Sequence, residues 1–437
     1  MITNLNDVDV QPKMKLTDSL ILAGASVRSL AESAMACGLR PYCVDMFHDA
    51  DLQTTLRENG HPPPIQIARF SEIPAAIEHL TSDIPLVWLG GVENHPETLH
   101  LLQHQRPVFG AATECLSRIR SEVVLRSLVV GSECGVPDVL TQMSHRSCRA
   151  DSNDWLIKPN STCGGLGIRH YKTGCRLGPD EFLQRYVPGN SLSVLYHRHD
   201  RTTQMIGACI QITGEPALGG ADFKFCGCIG PVKLNDRLCS ILNSVGCRIA
   251  ATDITGIFGA DFIIGENGIW LIEVNPRITA SHELYDFAQE GPSVLQRQLA
   301  SWNHEAPFVP APSNPVESPR VLARLIVYLK QDGVLEDSDS RRLLDFRRTP
   351  GTRRNPPWWL ADIPPTGVLT AGQPFCSVYY VLNKRAYGWS TDADESEVNE
   401  LNDLLSRFTG VSEIETSRTA IQYASLFEPA ADKDNSS

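Results

Sequence analysis

Apolar and polar positions along this chain follow two periods, and the switches between them divide it. Ser19 to Ala23 is a short apolar run closed by Gly24-Ala25-Ser26. Val27 to Cys37 then takes the spacing of an amphipathic helix, with Ser26 where an N-cap belongs. Pro41 to Asp45 reads as a second strand and Pro85 to Leu89 as a later one, ending in Gly90-Gly91. Strand, helix, strand in that order predicts a parallel sheet with right-handed crossovers over residues 16–112. Asp45 stands where a dinucleotide site carries an acid. Gly24 lacks the two further glycines of that fingerprint, so nicotinamide binding is not expected.

Further on, Glu114 to Val130 reads as a helix, stopped by Gly135-Val136-Pro137. Asp154 to Pro188 reads as strand, glycine loop, strand, helix and strand. Ser191 to Ile212 predicts a hairpin, Val232 to Ala250 a helix, and Gly259 to Pro276 a second hairpin. Asn303 to Pro319 is a proline-rich linker, and Arg320 to Phe427 is strand-rich with one late helix, Glu395 to Phe408. Glu428 to Ser437 is polar and expected to be disordered.

Composition narrows the classes. A chain of 437 residues, 42% apolar, is long enough for two to four packed units. Its net charge is -12, and its 39 basic residues form no dense run, so a nucleic-acid face is not expected. No stretch approaches the roughly 18 consecutive apolar residues of a membrane span. The polar beginning and thirteen scattered cysteines fit reduced thiols in a cytoplasmic protein. Cys226 and Cys228 come nearest to a ligand pair, but their spacing is wrong and no second pair faces them.

Three motifs carry chemistry. Trp155-Leu156-Ile157-Lys158-Pro159 ends a strand on a lysine, and Ser161 to Ile168 follows with Gly164, Gly165 and Gly167. Glycines there offer successive backbone N–H groups with no side chain in the way of a phosphate. The segment lacks a P-loop ending and a strand follows it, which predicts a β-hairpin lid over phosphates. Phe182 to Gly189 is a strand running into a Pro-Gly turn, placed where a hinge between two lobes would lend backbone to a base. The third motif is Gly259 to Arg277, with Asn267-Gly268 as its turn. With a loop of Glu266 to Gly268, Asp261 lies directly across from Glu273, and Asn275 shares their face. Two carboxylates and an amide oxygen suit Mg²⁺ (or Mn²⁺), an ion usually held by few protein groups plus substrate phosphates. A two-residue loop would instead turn Asp261 to the other face. Both faces are largely apolar, so the pattern leaves the register open.

Lys-Pro before a Gly-Gly-x-Gly hairpin, then a hinge strand, then Asp-Phe and Glu-x-Asn-Pro-Arg, resembles the ATP-grasp superfamily, to which biotin carboxylase and the large subunit of carbamoyl phosphate synthetase belong. The resemblance implies an α/β and α+β fold in three units. These are a Rossmann-like pre-ATP-grasp domain (16–112), a two-lobed ATP-grasp core (113–187 with the glycine lid, 188–302 with the metal site), and a small β-rich C-terminal cap (320–427). By motif, Lys158 would touch the α/β-phosphates, Cys163, Gly164, Gly165, Gly167 and Ile168 would cover the triphosphate, and Gln184, Arg185, Tyr186 and Val187 would hold the adenine. Asp261, Glu273 and Asn275 would bind Mg²⁺, and Arg277 would steady the transferred phosphoryl group.

Implied partners are ATP, a small carboxylate and an amine, with room for a homodimer. The implied reaction is ADP-forming C–N ligation through an acyl phosphate. A bicarbonate-using carboxylase and an ATP-binding sensor without turnover are the alternatives. Two departures stand out. Glu114 to Val130 has no phosphate-binding lysine, only Arg118, Arg120 and Arg126. Where biotin carboxylase carries its bicarbonate base, this chain has Ser281, followed by His282. The segment Trp359 to Val378 resembles the cap of carboxylase-type members and suggests a small barrel or sandwich. Lys224, in the loop before Gly230, is a further candidate for substrate contact.

Overall fold

The computed structural model describes residues 18–141, 154–289, 291–302, 320–347, 358–383 and 395–425. The linker and polar tail expected from the sequence lie outside them. In the first unit, β1 (Ser19–Gly24), β2 (Arg40–Asp45), β3 (Ile65–Gln66) and β4 (Leu86–Trp88) form a parallel sheet in the order β3-β2-β1-β4. The first helix spans Arg28–Ala36 with Val27 as its N-cap residue, and Ser26 does not cap it. The Ser26 hydroxyl bonds Asp49 instead, and the Asp45 carboxylate takes the N–H of Val27 at 2.7 Å. A carboxylate at the positive end of a helix serves the role foreseen for the serine.

The segment expected to be one helix is two, Thr113–Ile119 and Glu122–Val129. Next come β5 (Cys134–Gly135), β6 (Val139–Leu140), β7 (Trp155–Pro159), β8 (Arg169–His170) and β9 (Glu181–Arg185). Four of these form a small antiparallel sheet, β6-β9-β7-β8. The helix expected between β8 and β9 is absent: turns fill that stretch, where Lys172 to Gly178 includes two glycines and offers no apolar face.

The larger sheet is built from β10 (Asn190–His199), β11 (Thr202–Thr213), β12 (Phe225–Gly230), β13 (Gly256–Gly265), β14 (Gly268–Asn275), β15 (Arg320–Tyr328), β17 (Trp358–Ala361) and β19 (Pro374–Asn383), with β5 at one edge. Between them, β16 (Gly333–Leu335) and β18 (Gly367–Leu369) pair separately. The C-terminal strands therefore do not close into a barrel or sandwich of their own. They extend the larger sheet through the β12–β15 pairing, burying Leu325, Val378 and Tyr380 in a core shared with Ile212 and Ile229. Three helices accompany them, Asp337–Asp345, Glu395–Thr409 and Glu413–Ser425, where one was expected. The amphipathic run of the last is short, and its polar residues include Thr416 and Ser417, buried against the core.

Candidate active site

The β13–β14 hairpin decides whether the acids meet. Its turn is the tight one: Gly265 pairs with Gly268, and Phe262 with Leu271, a register that by itself would separate Asp261 from Glu273. The next pair is nonetheless Asp261 with Glu273, because Ile272 is an extra residue in β14. A β-bulge thus restores what the tight turn removes, and both carboxylates come to one face with Asn275.

That face is electrostatically strained. Asp261 is buried, and burial together with the facing Glu273 carboxylate pushes its carboxyl up to about 7, against the donors Ser193 and Gln211. Glu273 stands on an open cleft floor. Enclosure there pushes its carboxyl up, but Lys158, Asp261 and Arg277 outweigh it and leave it below the usual range. Lys158, at the end of β7 on the opposing lobe, is lowered by desolvation and held partly in check by Glu273 and Asp261. The Asn275 amide nitrogen reaches Asp261 at 3.0 Å and Glu273 at 3.4 Å. Gln211 donates to Asp261 at 3.1 Å while its carbonyl accepts from Ser191 at 2.6 Å. Two carboxylates facing one cation across a cleft suit a divalent metal. Among the described residues no three His, Cys, Asp or Glu side chains are placed to hold one alone, so phosphate oxygens would have to complete the shell.

Arg277 follows the hairpin, and its Nε donates to the Glu93 carboxylate at 2.7 Å. Glu93 comes from the first unit, 184 residues away, in the turn after β4. No motif marks it. The lid loop holds Gly164, Gly165 and Gly167 at φ of +63°, +73° and +78°. A Cβ on Gly165 would fall 1.9 Å from the Phe223 carbonyl oxygen, so only glycine lets the lid rest on that loop. The Phe225 N–H donates to the Gly164 carbonyl at 2.9 Å. Cys163 on the lid is exposed, and desolvation and the carboxylates of Glu93 and Glu273 raise its thiol while Arg277 opposes them. Ile168 closes the lid's turn on the Gly165 carbonyl.

Beside this site, a cleft of about 700 Å³ opens between the sheets, lined by Arg185, Tyr186 and Val187 and floored by Trp270. Gln184 is buried within β9 and does not line it. The N–H groups of Arg185 and Tyr186 serve the carbonyls of Asp138 and Asp154. Residues 127–281, spanning the lid, the hinge and the acidic hairpin, match the family model for an ATP-grasp domain.

The chain carries an ATP-grasp domain. Around it, the fold is similar to that of several solved structures. N5-carboxyaminoimidazole synthetase from Staphylococcus aureus superposes with a TM-score of 0.60 at 13% identity, over 85% of this chain and 95% of that one. The biotin carboxylase domain of the 2-oxoglutarate carboxylase from Hydrogenobacter thermophilus, solved as a dimer with MgADP, ADP and bicarbonate, gives 0.61 at 11%, over 94% and 99%. Biotin carboxylase from Campylobacter jejuni, solved with a β,γ-ATP ligand, gives 0.60 at 10%, over 94% and 95%. No curated protein matches the sequence. Among the described residues no helix is long and apolar enough to cross a membrane.

The fold sets Lys158, the lid, Asp261, Glu273, Asn275 and Arg277, the residues named from the sequence, around one cleft. Glu93, Gln211 and Ser193 were not named there; they reach these residues from segments far away in the chain and carry no motif. Ser281 is buried and bonds the Thr279 hydroxyl at 2.9 Å, whereas the His282 ring bonds the Thr279 carbonyl. Lys224 spends its ammonium on the Gly372 carbonyl and on the Tyr328 ring.

Proposed function

We propose that this ATP-grasp protein is an ADP-forming ligase that joins an organic carboxylate to an amine through an acyl phosphate. The observation that carries the reading is the convergence of Lys158, Asp261, Glu273 and Arg277 on one cleft, with the lid above and a base-sized cavity beside it. Mg²⁺ held by Asp261, Glu273 and Asn275 would supply countercharge to the triphosphate. Its donor set fits, since Asp261 and Glu273 face each other closely enough that the Glu273 carboxylate raises Asp261 although Lys158 and Arg277 stand near the pair.

Lys158 would bind the α/β-phosphates, and the lid N–H groups would cover the γ-phosphoryl while excluding water. A substrate carboxylate oxygen attacks the γ-phosphorus, the bond to the β-bridging oxygen breaks, and ADP leaves. Arg277 steadies the resulting acyl phosphate. The amine nitrogen then attacks its carbonyl carbon, the C–O bond to phosphate breaks, and the amine proton leaves with the phosphate. Of the three arginines in the helical unit, Arg118 bonds Asp253, Arg120 bonds Asn94 and Arg126 bonds Glu122 and Asp138, and of the three Arg126 lines the base cleft. That position supports Arg126 as the one to take over part of the missing lysine's task.

Bicarbonate as the acid is the second reading, since the similar structures named above are carboxylating enzymes by name. Bicarbonate, however, must lose a proton on the way to carboxylation, and the Ser281 hydroxyl, bonded to the hydroxyl groups of Thr279 and Tyr285, offers no base of suitable pKa. An organic carboxylate is already ionised at neutral pH. ADP release should accordingly rise with an organic acid and matching amine from a pooled screen, and hydroxylamine should capture a hydroxamate. Release driven by bicarbonate alone, with no hydroxamate from any acid, would overturn the organic-acid reading and install the carboxylase.

A further inference from the structure

Arg277 is gripped by a unit other than its own. Besides the 2.7 Å bond from Nε to Glu93, one guanidinium N–H reaches the Ile278 carbonyl at 3.3 Å and one the Asn275 side-chain oxygen at 3.4 Å. The flat face of the guanidinium lies against Gly90, where a Cβ would stand 3.4 Å from its central carbon. Glu93 is itself fixed: its second oxygen takes the Gly91 N–H at 2.7 Å, and only 3% of its side chain is exposed. Of the five donors of a guanidinium, three are thereby used and two remain, one on each terminal nitrogen. That is the set a bidentate grip on phosphoryl oxygens requires.

We infer that Glu93 is a positioning residue for the reaction, aiming Arg277 from the turn Gly90–Asn94 of the first unit. This rests on the reading of Arg277 as the group that steadies the phosphoryl. The same turn touches the root of the lid, where the Asn94 amide reaches the Thr162 carbonyl at 3.4 Å and accepts from Arg120 at 3.0 Å. One short turn of the first unit therefore sets both the arginine and the base of the lid. The first unit thus completes the phosphoryl site in addition to flanking it.

Two measurements on the full chain test this. Phenylglyoxal labels free guanidinium groups, and peptide mass mapping reads the label at Arg277 whether or not the protein turns over. In E93A the labelling rate of Arg277 should rise roughly tenfold, the factor expected on losing one charge-assisted hydrogen bond, and in E93Q by less, since the amide oxygen still accepts from Nε. ADP release from Mg-ATP should fall by about 100-fold in kcat for E93A with little change in KM for ATP, because misplacing a catalytic group by an ångström has that cost. In an R277A background, E93A should cost almost nothing more, as Glu93 acts through Arg277. Equal labelling in wild type and both variants overturns the positioning role, and so does a loss in E93A that adds fully to that of R277A. Wild-type protein that releases no ADP refutes the ligase reading instead, and the labelling rates then still decide whether Glu93 aims the arginine.

Discussion

Two buried charge clusters in this molecule look alike in composition and behave as opposites. Behind the site, Arg28 and Arg324 share Glu283 and Asp362. Arg28 donates to Asp362 at 2.8 Å and to both Glu283 oxygens at 3.0 Å, and Arg324 donates to Asp362 at 2.7 Å. Tyr379 and Ser377 complete the bonds. Glu32 and Asp51 also stand 3.2 and 3.6 Å from Arg28. Although burial alone would raise all four, the carboxyls of Glu283 and Asp362 end below the usual range because the guanidinium groups outweigh it, while burial keeps those of Glu32 and Asp51 above it. At the hairpin, by contrast, Asp261 and Glu273 face each other with Lys158 across the cleft, and Asp261 ends high. In the first cluster the guanidinium groups win at Glu283 and Asp362, and it joins the first unit, the helix after Arg277 and the C-terminal strands. In the second, burial and Glu273 keep Asp261 high although Lys158 and Arg277 stand near the pair, which would suit the metal position proposed above. A count of acids and bases would not separate them; the balance of each cluster does.

Breaking the first cluster should cost the most. Asp362→Ala takes a shared partner from two buried guanidinium groups, and removing one partner of a buried pair costs about 3–5 kcal/mol. A large drop in melting temperature, with ADP release per folded molecule nearly preserved at low temperature, is the expected outcome in calorimetry and kinetics. A small drop would mean that the cluster is wet and loosely held.

The strained pair should respond the other way. Glu273→Ala removes a carboxylate from the proposed metal position, so ADP release should fall by more than about 100-fold. Stability should hold or rise slightly, because the substitution relieves the repulsion on Asp261. Near-normal turnover at saturating Mg²⁺ would remove Glu273 from the site.

How much of this was legible in the chain follows from range. Lys158, the three lid glycines and the Asp261–Arg277 hairpin are local patterns, readable because backbone demands and strand alternation act over a few residues. The facing of Asp261 and Glu273 came from a turn length that was not the one used, corrected by a bulge at Ile272 that two apolar faces could not reveal. Ser26 failed as a cap because Asp45, on the neighbouring strand, offers a charged oxygen to the same helix end. Arg28 meets Asp362 across 334 positions, and no periodicity spans such a distance. Long-range charge partners are the part of the fold that sequence pattern does not carry.

The smallest effect sharpens the contrast most, because it has a sign. Asp261 keeps its proton in the folded protein to about pH 7, whereas an unfolded aspartate loses it near pH 3.9. Between those values the folded state binds more protons than the unfolded one, so stability is greatest at the acid end and falls as pH rises towards 7. Asp261→Asn stays neutral throughout. It should therefore match wild type near pH 4.5 and melt higher at pH 8, by roughly 2 °C if about 1 kcal/mol is at stake. Added Mg²⁺ should close the gap at pH 8 by stabilising only the wild type. For Asp362 the folded carboxyl lies below its unfolded value, so its stability is present above about pH 4 and lost on acidification. Asp362→Asn should accordingly fall furthest behind wild type at neutral pH and least in acid. Across pH 4.5 to 8 the gap between Asp261→Asn and wild type should change with pH, while that of Asp362→Asn should stay flat and close only below about pH 4; gaps that change together would show that the two clusters share one electrostatic character.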